Sequence, residues 1–261
     1  MARFLNKNLT YTGEEQYQPK PREKDKDTGE ILYPYIPVSE GLVKAVNLSI
    51  NLNRPLLLEG EPGCGKTRLA RAVAYEFSKC YGEQYNVEKW PYADWNIKSS
   101  DQARDGLYIY DAVRRLFDVQ LFTVEHQLNN NQLPDKEQLP QDTSLGNPLE
   151  KNNIRQRLED PKHEAYIQWG ALGKAFQASQ KGQRMIVLID EIDKADTDFP
   201  NDLLLELEEK RFFIKETGRE IRAEPDFAPI IFITSNGQRK LPDAFLRRCL
   251  YHYIKFPQKR S

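Results

Sequence analysis

Residues 59–67 read EGEPGCGKT, and the chain on either side of them has a different character. An apolar run, residues 55–58, precedes this stretch, and a run of helix-forming residues, 68–77, follows it. A strand, a glycine-rich loop and a helix in this order, with G-x-x-x-x-G-K-[ST] in the loop, are typical of a site that binds phosphate groups. An ordinary glycine turn before a helix is the alternative. The motif and its strand–helix context agree, so the stretch favours a phosphate-binding loop.

The residue types of this stretch explain how it would bind phosphates. Gly60, Gly63 and Gly65 allow backbone conformations that a Cβ would block, so the backbone N–H groups can point inward. The positive end of the following helix adds its partial charge. Lys66 would reach the outer phosphates, and Thr67 would hold Mg²⁺ through its hydroxyl. The predicted nucleotide-binding residues here are Gly60, Glu61, Pro62, Gly63, Cys64, Gly65, Lys66, Thr67 and Arg68.

The composition is that of a water-soluble domain with one core. The chain has 261 residues, of which 39% are hydrophobic and 30% charged, which suffices for one large domain. Its net charge of −1 gives no reason to expect a polyelectrolyte partner, so nucleic-acid binding is not expected. Cys64, Cys80 and Cys249 lack C-x-x-C spacing and are predicted to be reduced thiols. No apolar run is long enough to cross a bilayer, so we expect a cytoplasmic protein without membrane contact.

The N-terminal part of the chain divides at about residue 30. Residues 1–30 contain a dense run of mixed charges with proline, which predicts a flexible tail before a core of residues 31–261. A docking role for this tail is the alternative. Tyr35 and Ile36 stand where a nucleotide base could pack, although core packing explains them equally well. Ser39 is then predicted to cap an amphipathic helix that leads to the first strand.

The middle of the chain predicts less regular structure. Residues 90–97 alternate and are rich in aromatic groups, which indicates a strand, and a helix is predicted over 111–127. Residues 129–160 are polar, with a run of asparagines and several prolines, which predicts a loop or insertion that is either disordered or a partner contact. A further helix is expected after it, with Ile167 as its first buried position.

A second motif lies at residues 185–191, MIVLIDE. An apolar run without alternation is typical of a strand buried on both faces of a parallel sheet. Asp190 would bind Mg²⁺, and Glu191 could polarise the attacking water. A plain strand that ends in an acidic turn is the alternative. Asp193 and Asp196 are expected to be surface or cap residues.

Polar residues also end a third buried strand, residues 229–236. Asn236 could hydrogen-bond a phosphate and the attacking water, or it could simply cap the strand. A hairpin is predicted before this strand, around Gly218. After it, a short helix ends in Arg247 and Arg248, and residues 249–256 are predicted to form the last strand.

These motifs, in this order, resemble those of the AAA+ ATPases, and most closely the MoxR-like clade. The resemblance implies an α/β fold of the P-loop NTPase type, a three-layer αβα sandwich with a five-stranded parallel sheet. It implies that ATP and Mg²⁺ are bound between the subunits of a ring, usually a hexamer. Asn236 would be the sensor, Arg248 would act as an arginine finger on a neighbour's ATP, and Arg247 would assist it or form a surface pair. The family also carries a C-terminal helical lid, which we expect to be missing from a chain that stops at Ser261.

Three functions remain open from the sequence. The first is an ATP-hydrolysing, ring-forming, chaperone-like remodeller whose hairpins act on an unknown protein client. The second is a GTP-preferring motor of the restriction type. The third is a nucleotide-gated binding module without productive turnover. The histidines His126, His163 and His252 are dispersed, so a zinc or protease site is not expected.

Overall fold

The computed structural model describes residues 9–26, 28–129, 148–160 and 164–256. The described residues fall into two compact units. The first is made of residues from 1–107, 170–212 and 220–261, and the second of residues from 108–169 and 213–219. The strands, in chain order, are β1 Leu56–Gly60, β2 Tyr92–Asn96, β3 Tyr108–Tyr110, β4 Ile167–Trp169, β5 Ile186–Asp190, β6 Arg211–Ile214, β7 Arg219–Arg222, β8 Ile230–Ser235 and β9 Leu250–Ile254. The α-helices are α1 Glu40–Leu52, α2 Lys66–Tyr85, α3 Ala112–Asn129, α4 Pro148–Glu159, α5 Ala171–Gln180, α6 Phe199–Asp202, α7 Leu204–Glu209 and α8 Asp243–Leu246.

A five-stranded sheet in the order β2-β5-β8-β1-β9 forms the centre of the first unit. Every neighbouring pair in it is parallel. Leu56 and Leu58 of β1 pack in one core with α1 and α2, while Leu57 between them is equally buried on the opposite face. Burial of both faces is what parallel sheets covered by helices require. The predicted α/β fold with a five-stranded parallel sheet is confirmed.

This topology brings three polar strand ends to one edge of the sheet. Parallel strands all end on the same side, and β8 lies between β1 and β5. The glycine-rich loop after β1, Asp190 at the end of β5 and Asn236 after β8 therefore meet at the carboxyl edge. The Arg247–Arg248 turn precedes β9, so it lies at the opposite, amino edge.

The N-terminal segment differs from the flexible tail expected from its charges. Leu9 and Tyr11 are fully buried in the same core as α1 and α2. The buried carboxylate of Glu76 on α2 accepts hydrogen bonds from the backbone N–H of Thr12 (2.6 Å) and of Gly13 (3.0 Å). The prediction is therefore wrong for residues 9–26, because a few apolar side chains and one buried acid outweigh the charge run. Residues 1–8 lie outside the described residues.

The second unit contains a two-stranded antiparallel sheet, β3 with β4, and the helices α3 and α4. The buried Asp118 of α3 accepts a hydrogen bond from the Tyr166 hydroxyl (2.8 Å) and pairs with Arg157 of α4 (3.3 Å). The predicted loop over residues 129–160 is wrong where α4 forms, and residues 130–147 lie outside the described residues.

Three smaller expectations about secondary structure are also tested. Ile167 lies in β4 and not in a helix, because the helix begins only at Ala171. The amphipathic pattern of residues 202–209 also predicts a helix, and α7 covers Leu204–Glu209 of that range, with Leu203 between it and α6. The predicted hairpin is confirmed: β6 and β7 form a two-stranded sheet, and Gly218 in the turn has a φ of 65°. Within the described parts of the chain, no helix is both long and apolar enough to cross a membrane.

Candidate active site

The loop between β1 and α2 needs its glycines for two separate reasons. Gly63 and Gly65 have φ values of 85° and 94°, which side chains with a Cβ rarely adopt. A Cβ on Gly65 would also lie 2.8 Å from the ring of Tyr35, and one on Gly60 would lie 2.5 Å from the carbonyl oxygen of Ile254. The predicted loop thus has the conformation that only this pattern of glycines permits.

Lys66 is folded into this loop. Its ammonium donates hydrogen bonds to the carbonyl oxygens of Gly60 (2.7 Å) and Glu61 (3.1 Å), and the residue is 6% exposed. Within the described residues it forms no ion pair, so no carboxylate neutralises its charge. A buried cation that is held by two neutral carbonyls and the sulfur of Cys64 favours the approach of an anion. This arrangement fits a phosphate in the loop.

Asp190 accepts hydrogen bonds from two hydroxyl groups that lie in different elements. The Thr67 hydroxyl at the start of α2 donates to its carboxylate oxygens at 3.0 and 3.1 Å, and the Thr234 hydroxyl of β8 donates at 2.6 Å. Asp190 is 8% exposed and, among the described residues, pairs with no cation. Buried carboxylates are normally paired or bind a metal ion. Hydroxyl and carboxylate oxygens are also the ligands that Mg²⁺ prefers, so Thr67 and Asp190 fit that ion.

Glu191 stands next to this carboxylate in a left-handed conformation, with φ 60° and ψ 49°. Such a conformation costs about 1 kcal/mol for a residue that is not glycine, so its neighbours must hold it. Its N–H donates to the Thr234 hydroxyl (2.8 Å). Its carboxylate accepts from the Asn236 amide nitrogen (3.1 Å) and forms an ion pair with Lys194. Glu191 is thus bonded to Asn236 and Lys194, whereas Asp190 is bonded to Thr67 and Thr234, which gives the two acids different surroundings.

Asp193 fixes the position of Asn236. Asp193 is 3% exposed, and its carboxylate accepts hydrogen bonds from the backbone N–H groups of Asn236 (3.1 and 3.2 Å) and Gln238 (2.9 Å). Of the expected surface or cap residues, Asp193 is buried and caps the loop after β8, whereas Asp196 is exposed at the surface. Thr234 and Lys194 were missed as well. The available signal was that Thr234 is the first polar residue after the apolar run of β8.

The two candidates for base packing differ in their positions. Tyr35 is buried against Gly65, and its N–H donates to the Gln18 side chain (3.0 Å), whereas Ile36 is 65% exposed. Burial raises the pKa of Tyr35 to about 12. Arg68 is exposed and lies over the ring of Tyr33, at 4.9 Å from its centroid. Tyr35 therefore supports the loop from the core side, and Ile36 remains free to contact a ligand.

The two predicted catalytic arginines are not brought to this edge. Leu250 at the start of β9 pairs with Leu56, and Ile254 pairs with Gly60 at the phosphate loop. The length of β1 therefore separates the arginine turn from the loop by roughly 13 Å, at about 3.3 Å per residue. Arg248 donates to Glu208 (2.8 Å) and to the carbonyl oxygen of Ala244 (2.9 Å). Neither arginine is in position to act on a nucleotide bound by its own chain.

A metal cluster of His, Cys, Asp and Glu side chains, or a disulfide, has little support among the described residues. Among the described residues, no group of three or more His, Cys, Asp or Glu side chains could hold a metal ion. Cys64, Cys80 and Cys249 all lie in the described ranges and are free thiols. The acids and hydroxyls around the loop therefore remain the groups that can perform chemistry here.

Comparison with known proteins agrees with this geometry. Residues 142–249 match the family model described as an AAA domain of the dynein-related subfamily. This is less than half of the chain; it includes Asp190, Glu191, Asn236 and the arginine pair, but not the phosphate loop. The match supports an assignment to the AAA+ ATPases, whereas the MoxR-like clade stays a prediction.

Matches to individual proteins are more distant. No curated protein matches the chain. One matching solved structure, "Structure of C. elegans PCH-2", has 19% sequence identity and a TM-score of 0.38. The match covers 84% of this chain and 41% of that one, so this chain spans less than half the length of that protein.

Proposed function

We propose that this chain is an AAA+ ATPase core that binds ATP with Mg²⁺, hydrolyses it, and works as a ring-forming, chaperone-like remodeller of the MoxR type. The observation that carries the proposal is the convergence of Thr67 and Thr234 on the buried Asp190, beside a phosphate loop whose lysine is not neutralised. A structural carboxylate would need neither a second hydroxyl nor an adjacent strained acid.

The residues of this edge divide the chemistry between them. Lys66 and the N–H groups of the loop bind the phosphates. Thr67 and Asp190 hold Mg²⁺, which neutralises charge on the phosphate oxygens when it is bound. Glu191 accepts a proton from the attacking water, and Asn236 keeps the Glu191 carboxylate oriented. One arginine of the turn, Arg247 or Arg248, acts on the nucleotide of a second copy, because their own loop lies roughly a strand length away.

One contact favours a second candidate function, the nucleotide-gated binding module. Glu191 forms an ion pair with Lys194, and its carboxylate raises the pKa of that lysine. A carboxylate that stays paired in this way is a poor proton acceptor. In this alternative, nucleotide binding changes the partner surface without turnover, and the hairpin of β6 and β7 contacts the partner.

Nucleotide binding and phosphate release separate these candidates. ATP and GTP are compared at increasing protein concentration for the wild type, Glu191→Gln and the exposed control Glu40→Gln. We expect Glu191→Gln to bind ATP with an affinity close to that of the wild type and to lose about 100-fold or more in turnover, since a general base contributes about that much. Glu40→Gln should behave like the wild type.

Each contrary result points to a different reading. Binding without turnover in the wild type at every concentration supports the binding module. A strong preference for GTP supports the restriction-type motor. Absence of binding to either nucleotide overturns all of these functions.

A further inference from the structure

A cavity of about 490 Å³ lies at the amino edge of the first unit, beside the arginine turn. Five cationic residues line it, together with Glu208 and Glu209. These cations are Arg54, Lys210, Arg222, Arg247 and Arg248. The excess of positive charge makes this surface suited to a negatively charged group.

Arg54 is bonded to the backbone of both residues of the turn. Its guanidinium donates to the carbonyl oxygen of Arg247 through Nη2 and to that of Arg248 through Nε, at 3.3 Å. These carbonyls follow the short helix α8, and carbonyls at helix ends have no partner within the helix. The planar fork of an arginine can satisfy two acceptors at once, which a lysine cannot do with the same geometry.

Hydrogen bonds to α1 and to β9 fix the backbone of Arg54 and of the residue after it. Its carbonyl oxygen accepts the Ser49 hydroxyl of α1 (2.7 Å), and its N–H donates to the Ser49 carbonyl oxygen (3.2 Å). The next residue, Pro55, accepts the N–H of Leu250 at the start of β9 (2.8 Å). The side chain of Arg54 therefore extends from a fixed backbone, directly ahead of the strand that leads to the phosphate loop.

The two arginines of the turn have unequal freedom. Arg248 is partly buried, and its guanidinium is bonded to Glu208 and to the Ala244 carbonyl oxygen, so most of its charge is already engaged. The side chain of Arg247 is exposed and has no hydrogen bond or ion pair to any residue that the structure describes. Of the two, Arg247 is the one whose guanidinium can reach an anion on another molecule without first breaking a bond.

We propose that Arg54 is a positioning residue for the arginine that acts in trans, and that this arginine is Arg247. Arg54 fixes the two carbonyls, Arg248 braces the turn through Glu208, and Arg247 is directed towards the phosphates bound by a second copy of the chain. The proposal rests on the proposed function, since it requires ATP hydrolysis between copies. It assigns Arg248, the residue expected to be the arginine finger, a supporting role.

Turnover measurements on single variants form the first test. Arg54→Met removes both hydrogen bonds, Arg54→Lys retains a charge without the fork, and Arg222→Met is the matched control because it lines the same cavity without bonding to the turn. We expect Arg54→Met to lower kcat about 10-fold or more, Arg54→Lys to recover little of it, and ATP affinity to stay within about twofold. Arg247→Ala should cost about 100-fold or more and Arg248→Ala less, as expected if only Arg247 touches phosphate.

Mixing experiments distinguish a positioning role from general damage to the fold. Arg54→Met mixed with Lys66→Ala should regain activity, because the second protein supplies intact arginines to the intact nucleotide site of the first. The double variant Lys66→Ala/Arg54→Met mixed with Arg247→Ala should stay inactive, because no partner then offers a positioned arginine. A variant that was merely unstable would fail in both mixtures, and thermal unfolding of Arg54→Met checks its fold directly.

The possible outcomes distinguish failure of this inference from failure of the proposed function. A wild type without turnover overturns both. An active wild type with Arg54→Met equal to Arg222→Met, or with Arg248→Ala more damaging than Arg247→Ala, overturns the inference alone. Restored activity in the second mixture would also overturn it, because Arg247 would then act without Arg54.

Discussion

The two edges of the central sheet carry different kinds of site. At the carboxyl edge, Lys66 and Asp190 are buried near the ends of neighbouring strands, and Asn236 is hydrogen-bonded to Glu191. At the amino edge, Arg54 and Arg247 lie beside an open cavity, and Arg247 has an exposed side chain. The first edge is arranged to enclose a ligand of its own, and the second presents charge to another molecule.

This difference explains why sequence motifs predict the site at the carboxyl edge but not the site at the amino edge. The groups at the carboxyl edge follow strands, so each lies within a short stretch with its own signature. The groups at the amino edge come from the α1–β1 junction, the end of α7, the end of β7 and the turn before β9. Nothing in those four stretches indicates that they meet, because their contact depends on strand order and not on local sequence.

Removal of the loop lysine should produce the largest effect of all the substitutions. A small effect would contradict the assignment of phosphate binding to the carboxyl edge. Lys66→Ala removes a buried cation whose charge is not neutralised, so we expect ATP affinity to fall about 100-fold or more, equivalent to about 3 kcal/mol. Titration with a fluorescent ATP analogue measures it, with the exposed Lys44→Ala as control. Unchanged affinity in Lys66→Ala would mean that phosphate is bound elsewhere, the cavity at the amino edge being the obvious place.

The role of Asn236 should be visible in kcat and should leave nucleotide affinity nearly intact. In the wild type the side-chain N–H of Asn236 orients one carboxylate oxygen of Glu191. Asn236→Ala frees that oxygen, so we expect kcat to fall about 10-fold to 100-fold. Steady-state kinetics measures this change. Gln238→Ala is the matched control, because only the backbone of Gln238 bonds to Asp193. Equal kinetics of the two variants would show that Asn236 simply caps its strand.

The smallest expected effect is a pH dependence of stability at the amino edge. Burial lowers the pKa of Lys210 to about 8, below its value of 10.5 in the unfolded chain. The unfolded state then binds more protons between these values, so this lysine makes the free energy of unfolding rise with pH, by about 2 kcal/mol between pH 8 and pH 10. The free energy of unfolding of Lys210→Met should lack this rise with pH.

Urea unfolding at pH 8 and pH 10 measures the difference between the two proteins. The neighbouring Cys249, whose pKa burial raises to about 12, gives an opposite slope in both proteins and therefore largely cancels. An identical pH dependence in Lys210→Met and the wild type would contradict a buried amine at this edge.

Several features of the site were predictable because they depend on local physics. The phosphate loop needs glycines where φ is positive, and the buried strand before Asp190 needs an unbroken apolar run. Both requirements leave patterns in consecutive residues. The burial of Asp193, Leu9 and Tyr11 left no such pattern, because each depends on a partner far along the chain.

The sequence alone determined the parallel α/β fold and its phosphate loop, since strand, turn and helix propensities act over a few residues. Only the tertiary structure decided which side chains share a site. The order β2-β5-β8-β1-β9 inserts Thr234 between the loop and Asp190, and it carries the arginine turn to the far edge, where Arg54 bonds to it. Such contacts arise from packing between segments that are distant in the chain, and no local propensity encodes them.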